Sequence, residues 1–398
     1  MDITIYPQTL SGVIHAIPSK SQAHRLLICA AFADADTVLV CPETNRDMDA
    51  TAQCLNQLGA HIEKTEQGYF VSPVREVPSF AVLNCHDSGS TLRFMLPVAG
   101  ALGVDAVFQM EGRLPQRPLS PMWEEMERMG CRLSRPTPDT IRCQGKLTAG
   151  TYSIDGGVSS QFITGLLLAA ALIPGKSQIQ ITGKIESQPY IAMTQQVLHR
   201  FGIETEGFRI EGGKTLYSPG TVTVEGDWSN GAFFLAANAL GNPVLTQNLR
   251  MDSAQGDRAV NDLLPGLKNQ MTISAANIPD LVPILSVVAA SRKGGVFTDI
   301  QRLRLKESDR VESVVRMIRD LGGMAEATKD ALTIYGTGLT GGTVDSVNDH
   351  RIAMSAAIAA TVCSKPVTIL GAQCVEKSYP KFFQEYARLG GNYEQYLR

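Results

Sequence analysis

The chain repeats one pattern six times along its length. In each copy, a short cluster of Ser, Asp, Asn, Gly or Pro runs directly into an apolar stretch rich in Ala and Leu. The spacings between successive copies are 68, 71, 69, 51 and 70 residues, and the copies start at Ser19, Asp87, Val158, Asp227, Ile278 and Asn348. Such self-similarity restricts the fold to one in which like units pack against one another. One unit of about 66 residues, repeated six times, accounts for all 398 residues.

Each copy predicts two helices and several strands. The polar cluster is typical of a helix N-terminus, and a following run that is apolar on nearly every side indicates a buried helix. A second helix per copy is indicated by NRDMDATAQCLNQLGA, PMWEEMERMG, YIAMTQQVLHRFG, DRAVNDLLPGL, DRVESVVRMIRDLGG and YPKFFQEYARLGG, several of which end in Gly. Alternating β-branched runs predict strands at TVLVC, YFVSP, QIQITG, TVTVEG and PVTILG.

These elements predict an α/β protein built from six β-α-β-α-β-β units, with parallel buried helices inside and sheets outside. Six units divide most simply into two domains of three. We expect the chain to cross between the domains at TVTVEGDWS, residues 221–229, and we expect the first strand, ITIYP, to pack with the second half. The predicted domains are therefore residues 16–222, and residues 1–15 together with 223–398.

Composition excludes several classes of protein. With 36 Lys and Arg against 39 Asp and Glu, the net charge of −3 gives no general attraction to nucleic acid or anionic lipid, so anion binding must come from local clustering. The N-terminus lacks the pattern of a signal peptide, and the longest apolar run, Phe162 to Pro174, is too short to span a bilayer. Eight single cysteines without a CxxC pair predict reduced thiols, a cytoplasmic protein and no zinc site.

Cations cluster where the buried helices begin. A helix N-terminus presents free N–H groups and a partial positive charge, so several of them facing one cleft make a site for anions. Burying a cation without a partner costs several kcal/mol, and a phosphate or carboxylate ligand supplies that partner. The cations at helix starts are Lys20, Arg25, Arg93 and Arg351, and those in loops are Arg117, Lys306, Arg310 and Lys377.

Two carboxylates and one histidine stand among these cations. Asp280 is either the N-cap of the fifth buried helix or a general base, and Glu307 is either a surface partner of Arg310 or a group in proton transfer. His350 either shares in proton transfer or caps its helix. The segment GFRIEGGKT at Gly207 fails as a phosphate-binding P-loop, because Gly213 stands where Lys is needed, and no GxGxxG, GxSxG or HExxH occurs.

The motifs SKSQAHR, DSGSTLR, RLPQRP, VSSQF, SQPY, IPD, LKESDR, NDHR and VEKSYPKFF occur in this order over essentially the whole chain. In this the chain resembles the 5-enolpyruvylshikimate-3-phosphate synthase family of enolpyruvyl transferases. The resemblance implies a two-domain inside-out α/β barrel with the active site in the cleft between the domains. It implies the transfer of enolpyruvyl from phosphoenolpyruvate to the 5-hydroxyl of shikimate 3-phosphate, with release of phosphate and with neither metal nor organic cofactor.

The resemblance also implies a role for each matching residue. Asp280 corresponds to the proton acceptor of the family and Glu307 to its partner carboxylate, and either Lys20 or Glu307 protonates the methylene of phosphoenolpyruvate. The shikimate 3-phosphate set is Lys20, Ser21, Arg25, Ser159, Ser160, Gln161, Ser187, Tyr190, Asp280 and Lys306. The phosphoenolpyruvate set, where the inhibitor glyphosate also binds in this family, is Lys20, Gly89, Arg93, Arg117, Gln161, Arg310, Arg351 and Lys377.

An alternative with the same fold is the sister enzyme that uses UDP-N-acetylglucosamine, whose members usually carry a Cys before the Arg-Pro of the loop that here reads EGRLPQRP. The chain departs from the pattern of its own family at Asp87, Ser88, Gln188 and Arg302. We expect two small anionic substrates, closure of the two halves around them, no nucleic-acid or membrane partner, and a monomer.

Overall fold

A computed structural model describes residues 1–396, and these form two compact units. The terminal unit combines Met1–Ile17 with Gly226–Arg398, and the central unit is Pro18–Glu225. The sequence analysis placed the boundaries after residues 15 and 222. Each unit has its own hydrophobic core.

The helices form two series, one of long buried helices and one of flanking helices. The buried series is α1 (Lys20–Ala31), α3 (Gly89–Leu102), α5 (Ser160–Leu172), α7 (Trp228–Ala239), α9 (Val282–Ala290) and α11 (His350–Ala359). The flanking series is α2 (Arg46–Gln57), α4 (Met122–Arg128), α6 (Gln188–Arg200), α8 (Val260–Gly266), α10 (Arg310–Asp320) and α12 (Phe382–Arg388). Both series were predicted from the sequence, one helix of each per repeat.

The strands are short. In the order of the chain they are β1 (Asp2–Tyr6), β2 (Gly12–His15), β3 (Thr37–Val40), β4 (His61–Thr65), β5 (Gly68–Ser72), β6 (Phe80–Asn84), β7 (Asp105–Gln109), β8 (Cys131–Ser134), β9 (Thr140–Gly145), β10 (Thr151–Asp155), β11 (Gly175–Thr182), β12 (Thr205–Glu206), β13 (Arg209–Gly212), β14 (Thr221–Thr223), β15 (Val244–Gln247), β16 (Met271–Ser274), β17 (Gly295–Thr298), β18 (Met324–Ala327), β19 (Ala331–Tyr335), β20 (Gly342–Asp345), β21 (Val367–Leu370) and β22 (Asn392–Tyr396).

Five of the sheets share one pattern of strand pairing. In the sheet β6-β7-β9-β8, two parallel strands are joined through a buried helix, and an antiparallel hairpin extends the second of them. The same pairing, parallel and then twice antiparallel, holds in β14-β3-β5-β4, β10-β11-β13-β12, β16-β17-β19-β18 and β20-β21-β1-β22, although the connections differ. In the last of these, β1 pairs antiparallel with both β21 and β22, so the N-terminal strand completes a C-terminal repeat.

The fourth repeat differs from the prediction of six equal units. Its sheet contains only the parallel strands β2 and β15 and lacks the hairpin. The reason lies in the chain length, because the spacing from this copy to the next, 51 residues, is the shortest of the five. Part of the open edge of β15 is covered by a side chain, since the Asn238 amide donates to the Val244 carbonyl at 3.0 Å.

The buried helices pack closely within each unit. Every residue of α9 and of α11 is buried, in agreement with runs that are apolar on all sides. In the central unit a Cβ atom at Gly165 of α5 would overlap the Arg93 carbonyl of α3, so only glycine allows this approach. In residues 1–396, no helix has both the length and the hydropathy that crossing a membrane requires.

Candidate active site

The buried helices of the central unit begin at serine caps. The side chains of Ser19, Ser88 and Ser159 accept hydrogen bonds from backbone N–H groups in the first turns of α1, α3 and α5. Each cap satisfies one of the four free N–H groups and leaves the partial positive charge of the helix end in place. The predicted cations of this unit lie beside these three helix starts.

Arg25 of α1 is buried, with 2% of its surface exposed. Its guanidinium donates to the Thr194 hydroxyl at 2.8 Å, the Thr164 hydroxyl at 3.2 Å, the Tyr190 carbonyl at 3.1 Å and the Ser21 carbonyl. All four acceptors are neutral. Burial lowers the pKa of Arg25 to about 10, which still leaves it fully charged at neutral pH.

Lys20, the first residue of α1, has a charged partner. Its ammonium group lies 2.8 Å from a carboxylate oxygen of Asp47, on α2. The Asp47 side chain is 5% exposed and the Lys20 side chain is 15% exposed, so the lysine is the more accessible member of the pair.

Arg93 and Arg117 lie close to Gly89, the first residue of α3. Arg93 donates to the Gln161 side-chain oxygen at 2.8 Å and to the Pro118 carbonyl at 3.3 Å, and it lies over the Phe162 ring. A Cβ atom at Gly89 would lie 2.6 Å from a terminal nitrogen of Arg117 and 2.9 Å from one of Arg93. Glycine at this position therefore leaves room for two guanidinium groups at one helix start.

A buried polar network ties α1, α2 and α3 together behind these cations. The His24 Nδ1 lies 2.7 Å from the Thr51 hydroxyl, which lies 2.8 Å from the Thr91 hydroxyl. Burial lowers the pKa of His24 to about 3, so the imidazole is neutral at any physiological pH. A neutral histidine here adds no charge to the site and fixes the spacing of the helix starts.

The remaining predicted residues of the central unit lie at the starts of α5 and α6. Ser160 and Ser187 are buried, Gln161 donates to the Ser90 hydroxyl at 2.9 Å, and Tyr190 lies in the first turn of α6. Ser187 has a left-handed backbone, with φ of 55°, which is uncommon for a residue with a side chain.

In the terminal unit, cations surround Asp280 directly. A carboxylate oxygen of Asp280 lies 2.7 Å from Arg310 and 3.6 Å from the Lys306 ammonium, and the other lies 3.2 Å from Arg351. The N-cap interpretation of Asp280 is wrong: α9 begins after Leu281, and no side chain caps it. Burial opposes ionisation of Asp280, but Arg351, Lys306 and Arg310 outweigh it and hold its pKa well below the usual range.

Arg310 is the centre of this cluster. It is fully buried and also donates to Glu307 at 2.7 Å and to Asp349 at 3.0 Å. Burial alone would lower its pKa, yet Asp349, Glu307 and Asp280 together raise it. The interpretation of Glu307 and Arg310 as a surface pair is therefore wrong, because the arginine side chain has no exposed surface.

Lys306 differs from the arginines in that it can lose its charge near neutral pH. Burial lowers its pKa to about 8; nearby Asp280 opposes this shift, while Arg310 and Arg302 favour it. His350 and Arg351 begin α11 and Lys377 ends a short 3-10 helix, all three being buried. The cap of α11 is Asp349, whose side chain accepts from the Arg351 N–H, so His350 is not the capping residue.

Sequence reasoning missed several residues that hold these side chains. They are Asp47, Thr164, Thr194 and Asp349. Thr164 interrupts the apolar run of α5, and that interruption was a usable signal. Nothing in the local sequence pairs Asp349 with Arg310, because 39 residues separate them.

No group of three His, Cys, Asp or Glu side chains within residues 1–396 is arranged to hold a metal ion.

Comparisons with known proteins agree with the motifs. The family model for EPSP synthase (3-phosphoshikimate 1-carboxyvinyltransferase) matches residues 5–386. The 3-phosphoshikimate 1-carboxyvinyltransferase of Clostridium kluyveri is 35% identical, covering 99% of this chain and 98% of the relative, and that of Clostridium beijerinckii is 35% identical, covering 99% of each. The fold matches the structure of an EPSP synthase from Acinetobacter baumannii with a TM-score of 0.80 at 23% identity, over 99% of this chain and 100% of that one.

The predicted family and fold class are thereby confirmed. The chain belongs to the EPSP synthase family, and it is a 3-phosphoshikimate 1-carboxyvinyltransferase that moves the enolpyruvyl group of phosphoenolpyruvate to shikimate 3-phosphate in aromatic biosynthesis.

Proposed function

We propose that the two units divide the work of this transfer. The central unit supplies cations and hydroxyls that bind shikimate 3-phosphate, through Lys20, Ser21, Arg25, Ser159, Ser160, Gln161, Ser187 and Tyr190. The terminal unit supplies Asp280 as the base, assisted by Lys306. Phosphoenolpyruvate binds Gly89, Arg93 and Arg117 of the central unit and Arg310, Arg351 and Lys377 of the terminal unit.

The chemistry is an addition followed by an elimination. Asp280 removes the proton of the 5-hydroxyl, and the resulting oxygen forms a bond to C2 of phosphoenolpyruvate while the methylene carbon gains a proton from Lys20 or Glu307. The C2–O bond to phosphate then breaks, phosphate leaves with its electron pair, and loss of a proton from the methyl group restores the double bond. Guanidinium groups stabilise the negative charge that develops on the departing phosphate.

One observation carries this proposal. Arg25 is a buried cation whose four hydrogen-bond acceptors are all neutral, so its charge is left for a ligand to balance. A charge-assisted hydrogen bond to a phosphate or carboxylate group of the substrate supplies that balance. The serines at the neighbouring helix starts add backbone and hydroxyl donors for the same anion.

The test is to titrate shikimate 3-phosphate into the protein and its Arg25→Met variant, and to measure phosphate release with phosphoenolpyruvate. We expect the dissociation constant of the variant to rise about a hundredfold, because one side of a buried charge pair is lost. Arg128→Met is the matched control, since the Arg128 side chain is 52% exposed and pairs with Glu125 at the surface.

Unchanged binding in Arg25→Met would contradict the assignment of the shikimate 3-phosphate set. The same assay distinguishes shikimate 3-phosphate from the alternative acceptor substrate, UDP-N-acetylglucosamine. Phosphate release is expected to be absent when UDP-N-acetylglucosamine replaces shikimate 3-phosphate. Thermal unfolding of both variants checks that the fold is kept.

We also propose a cytoplasmic monomer that uses no cofactor. Its eight cysteines are free and buried, as expected in a reducing compartment, and the apolar helices described in residues 1–396 contribute most of their residues to the two cores.

A further inference from the structure

The buried histidine of the central unit has no part in the mechanism so far. His24 lies on α1, is fully buried, and has its Nδ1 atom 2.7 Å from the Thr51 hydroxyl of α2. The Thr51 hydroxyl lies in turn 2.8 Å from the Thr91 hydroxyl of α3. Because both threonines are also fully buried, each hydroxyl hydrogen needs an acceptor inside the protein.

At its far end this chain of hydrogen bonds reaches two groups that hold helix starts. The Thr91 hydroxyl lies 2.8 Å from the hydroxyl of Ser88, which caps α3, and 3.3 Å from the backbone carbonyl of Asp47. Asp47 lies in the first turn of α2, and its side chain pairs with Lys20 at 2.8 Å. The chain therefore links α1 to the cap of α3 and to the start of α2.

The single hydrogen of each hydroxyl gives the chain a direction. The Asp47 carbonyl can only accept, and Ser88 also accepts from the Thr91 hydroxyl. Whichever of the two acceptors it meets, the Thr91 hydrogen points away from Thr51. The contact between Thr51 and Thr91 must then use the Thr51 hydrogen. Thr51 is left to accept from His24.

The imidazole of His24 thus carries its hydrogen on Nδ1. Burial lowers the pKa of His24 to about 3, so the ring is neutral and has one N–H group. Its Nε2 atom is buried and has no hydrogen-bond partner in residues 1–396. A bare nitrogen suits that position, because buried N–H groups without an acceptor are rare. The centroid of the Phe94 ring lies 6.1 Å from that of the imidazole, too far for an N–H bond to its face.

We propose that His24 is a positioning residue for phosphoenolpyruvate, acting as an Nδ1–H tautomer that donates into this chain. The chain holds Ser88, which caps α3 directly before Gly89, and the turn of Asp47, whose side chain holds Lys20. The inference rests on the proposed assignment of Lys20 and Gly89 to phosphoenolpyruvate. It goes beyond that assignment by giving a tautomer and a task to a residue outside both proposed substrate sets.

The tautomer is tested on the unmodified sequence. Long-range proton–nitrogen spectra of protein labelled with ¹⁵N-histidine distinguish a protonated Nδ1 from a protonated Nε2, and the signals lost in His24→Asn assign the residue. We expect a protonated Nδ1 and a bare Nε2 at about neutral pH. A protonated Nε2, or a mixture of the two forms, would overturn the inference.

Two substitutions at His24 separate the roles of its two nitrogens. The amide nitrogen of Asn can lie where Nδ1 lies in His, whereas that of Gln lies near the position of Nε2, so Asn alone keeps the donor to Thr51. We expect the KM for phosphoenolpyruvate to rise about tenfold in His24→Gln and to stay within about twofold of the wild type in His24→Asn. The kcat of both variants should stay within about threefold, since ligand placement is what changes.

The dissociation constant of shikimate 3-phosphate should change by less than about threefold in both variants, because Gly89 belongs to the phosphoenolpyruvate set alone. Equal KM values in His24→Gln and His24→Asn, or equal losses for the two substrates, would overturn the inference.

A further variant breaks the chain without changing the histidine. Thr51→Val keeps the shape of the side chain and removes its hydroxyl, so the KM for phosphoenolpyruvate should again rise about tenfold. Thr37→Val is the matched control, because Thr37 is equally buried in the same unit and its hydroxyl lies 2.7 Å from that of Ser218. An equal rise in Thr37→Val would overturn the inference. Failure of the proposed function would appear separately, as Arg117→Met without a rise in the KM for phosphoenolpyruvate.

Discussion

The two units hold their cations in different ways. In the central unit, Arg25 is surrounded by hydroxyl and carbonyl oxygens, and Arg93 donates to a glutamine and a carbonyl. In the terminal unit, Arg310 contacts three carboxylates, those of Asp280, Glu307 and Asp349. The charge of Arg25 is thus met by neutral oxygens, whereas the charge of Arg310 is met by carboxylates, which it holds in place.

These two kinds of contact suit two requirements of the reaction, the binding of anions and the placement of a buried carboxylate. A surface that binds polyanions needs cations whose charge is not already neutralised by the protein. A carboxylate in a buried site stays ionised, and keeps its orientation, only with neighbouring cations. Lys20 of the central unit also has a carboxylate partner, Asp47, which lies 2.8 Å away.

The largest expected effect is a loss of turnover, and it tests the role of the carboxylate Asp280 in the terminal unit. Asp280→Ala should lower kcat about a hundredfold or more, because general bases contribute at least that much. Steady-state kinetics with both substrates at saturation measures it. The control is Asp309→Asn, since Asp309 caps α10 and Asn is an equally good cap, so its kcat should stay within about twofold of the wild type. Near-normal turnover in Asp280→Ala would show that Asp280 is not the base and that it only holds the arginines in place.

The next largest effect tests the role of the two arginines beside Gly89 in the central unit. Gly89→Ala places a Cβ atom 2.6 Å from Arg117 and 2.9 Å from Arg93, so the guanidinium groups must move. We expect the KM for phosphoenolpyruvate and the inhibition constant of glyphosate to rise about tenfold, with little change for shikimate 3-phosphate.

Gly231→Ala is the control for this change, because the nearest atoms to a Cβ there belong to the Leu249 side chain, in the terminal unit. It should leave both KM values unchanged. Equal losses for both substrates in Gly89→Ala would show that Gly89 does not lie at the phosphoenolpyruvate subsite.

The smallest effect separates lysine from arginine in the terminal unit. Lys306, whose pKa is about 8, loses its charge as the pH rises through that value, whereas an arginine stays charged. The kcat/KM for shikimate 3-phosphate should fall about fivefold between pH 7.5 and 9 in the wild type and stay level in Lys306→Arg. A profile that declines equally in both proteins would place the titrating group elsewhere.

The fourth repeat shows where prediction from the sequence fails. Its short spacing was visible from residue numbers alone, yet the pattern was taken as a full unit because its helix start and apolar run were intact. The structure shows two strands where the other sheets have four. A repeat that lacks its hairpin can still pack against its neighbours, because the buried helix, and not the outer strands, fills the core of the unit.

For the proposed site, the sequence named the cations and both carboxylates as candidates but not how they are paired. It placed Asp280 and Arg310 among the candidates, and it gave no reason to bring Asp349 to them. Thr164, a polar residue inside the apolar run of α5, carried the clearest unused signal, because a buried hydroxyl needs a partner. That partner, Arg25, lies on another helix and comes close only when α1, α5 and α6 pack together.

The sequence by itself determined the number of repeats, the twelve helices described in residues 1–396 and the family, because periodicity, helix caps and ordered motifs are local properties of the chain. Only the tertiary structure decided which cation meets a carboxylate and which meets a neutral oxygen. That choice depends on distances between residues far apart in the chain, such as the 139 positions between Arg25 and Thr164, and on burial, which sets the charge each group carries.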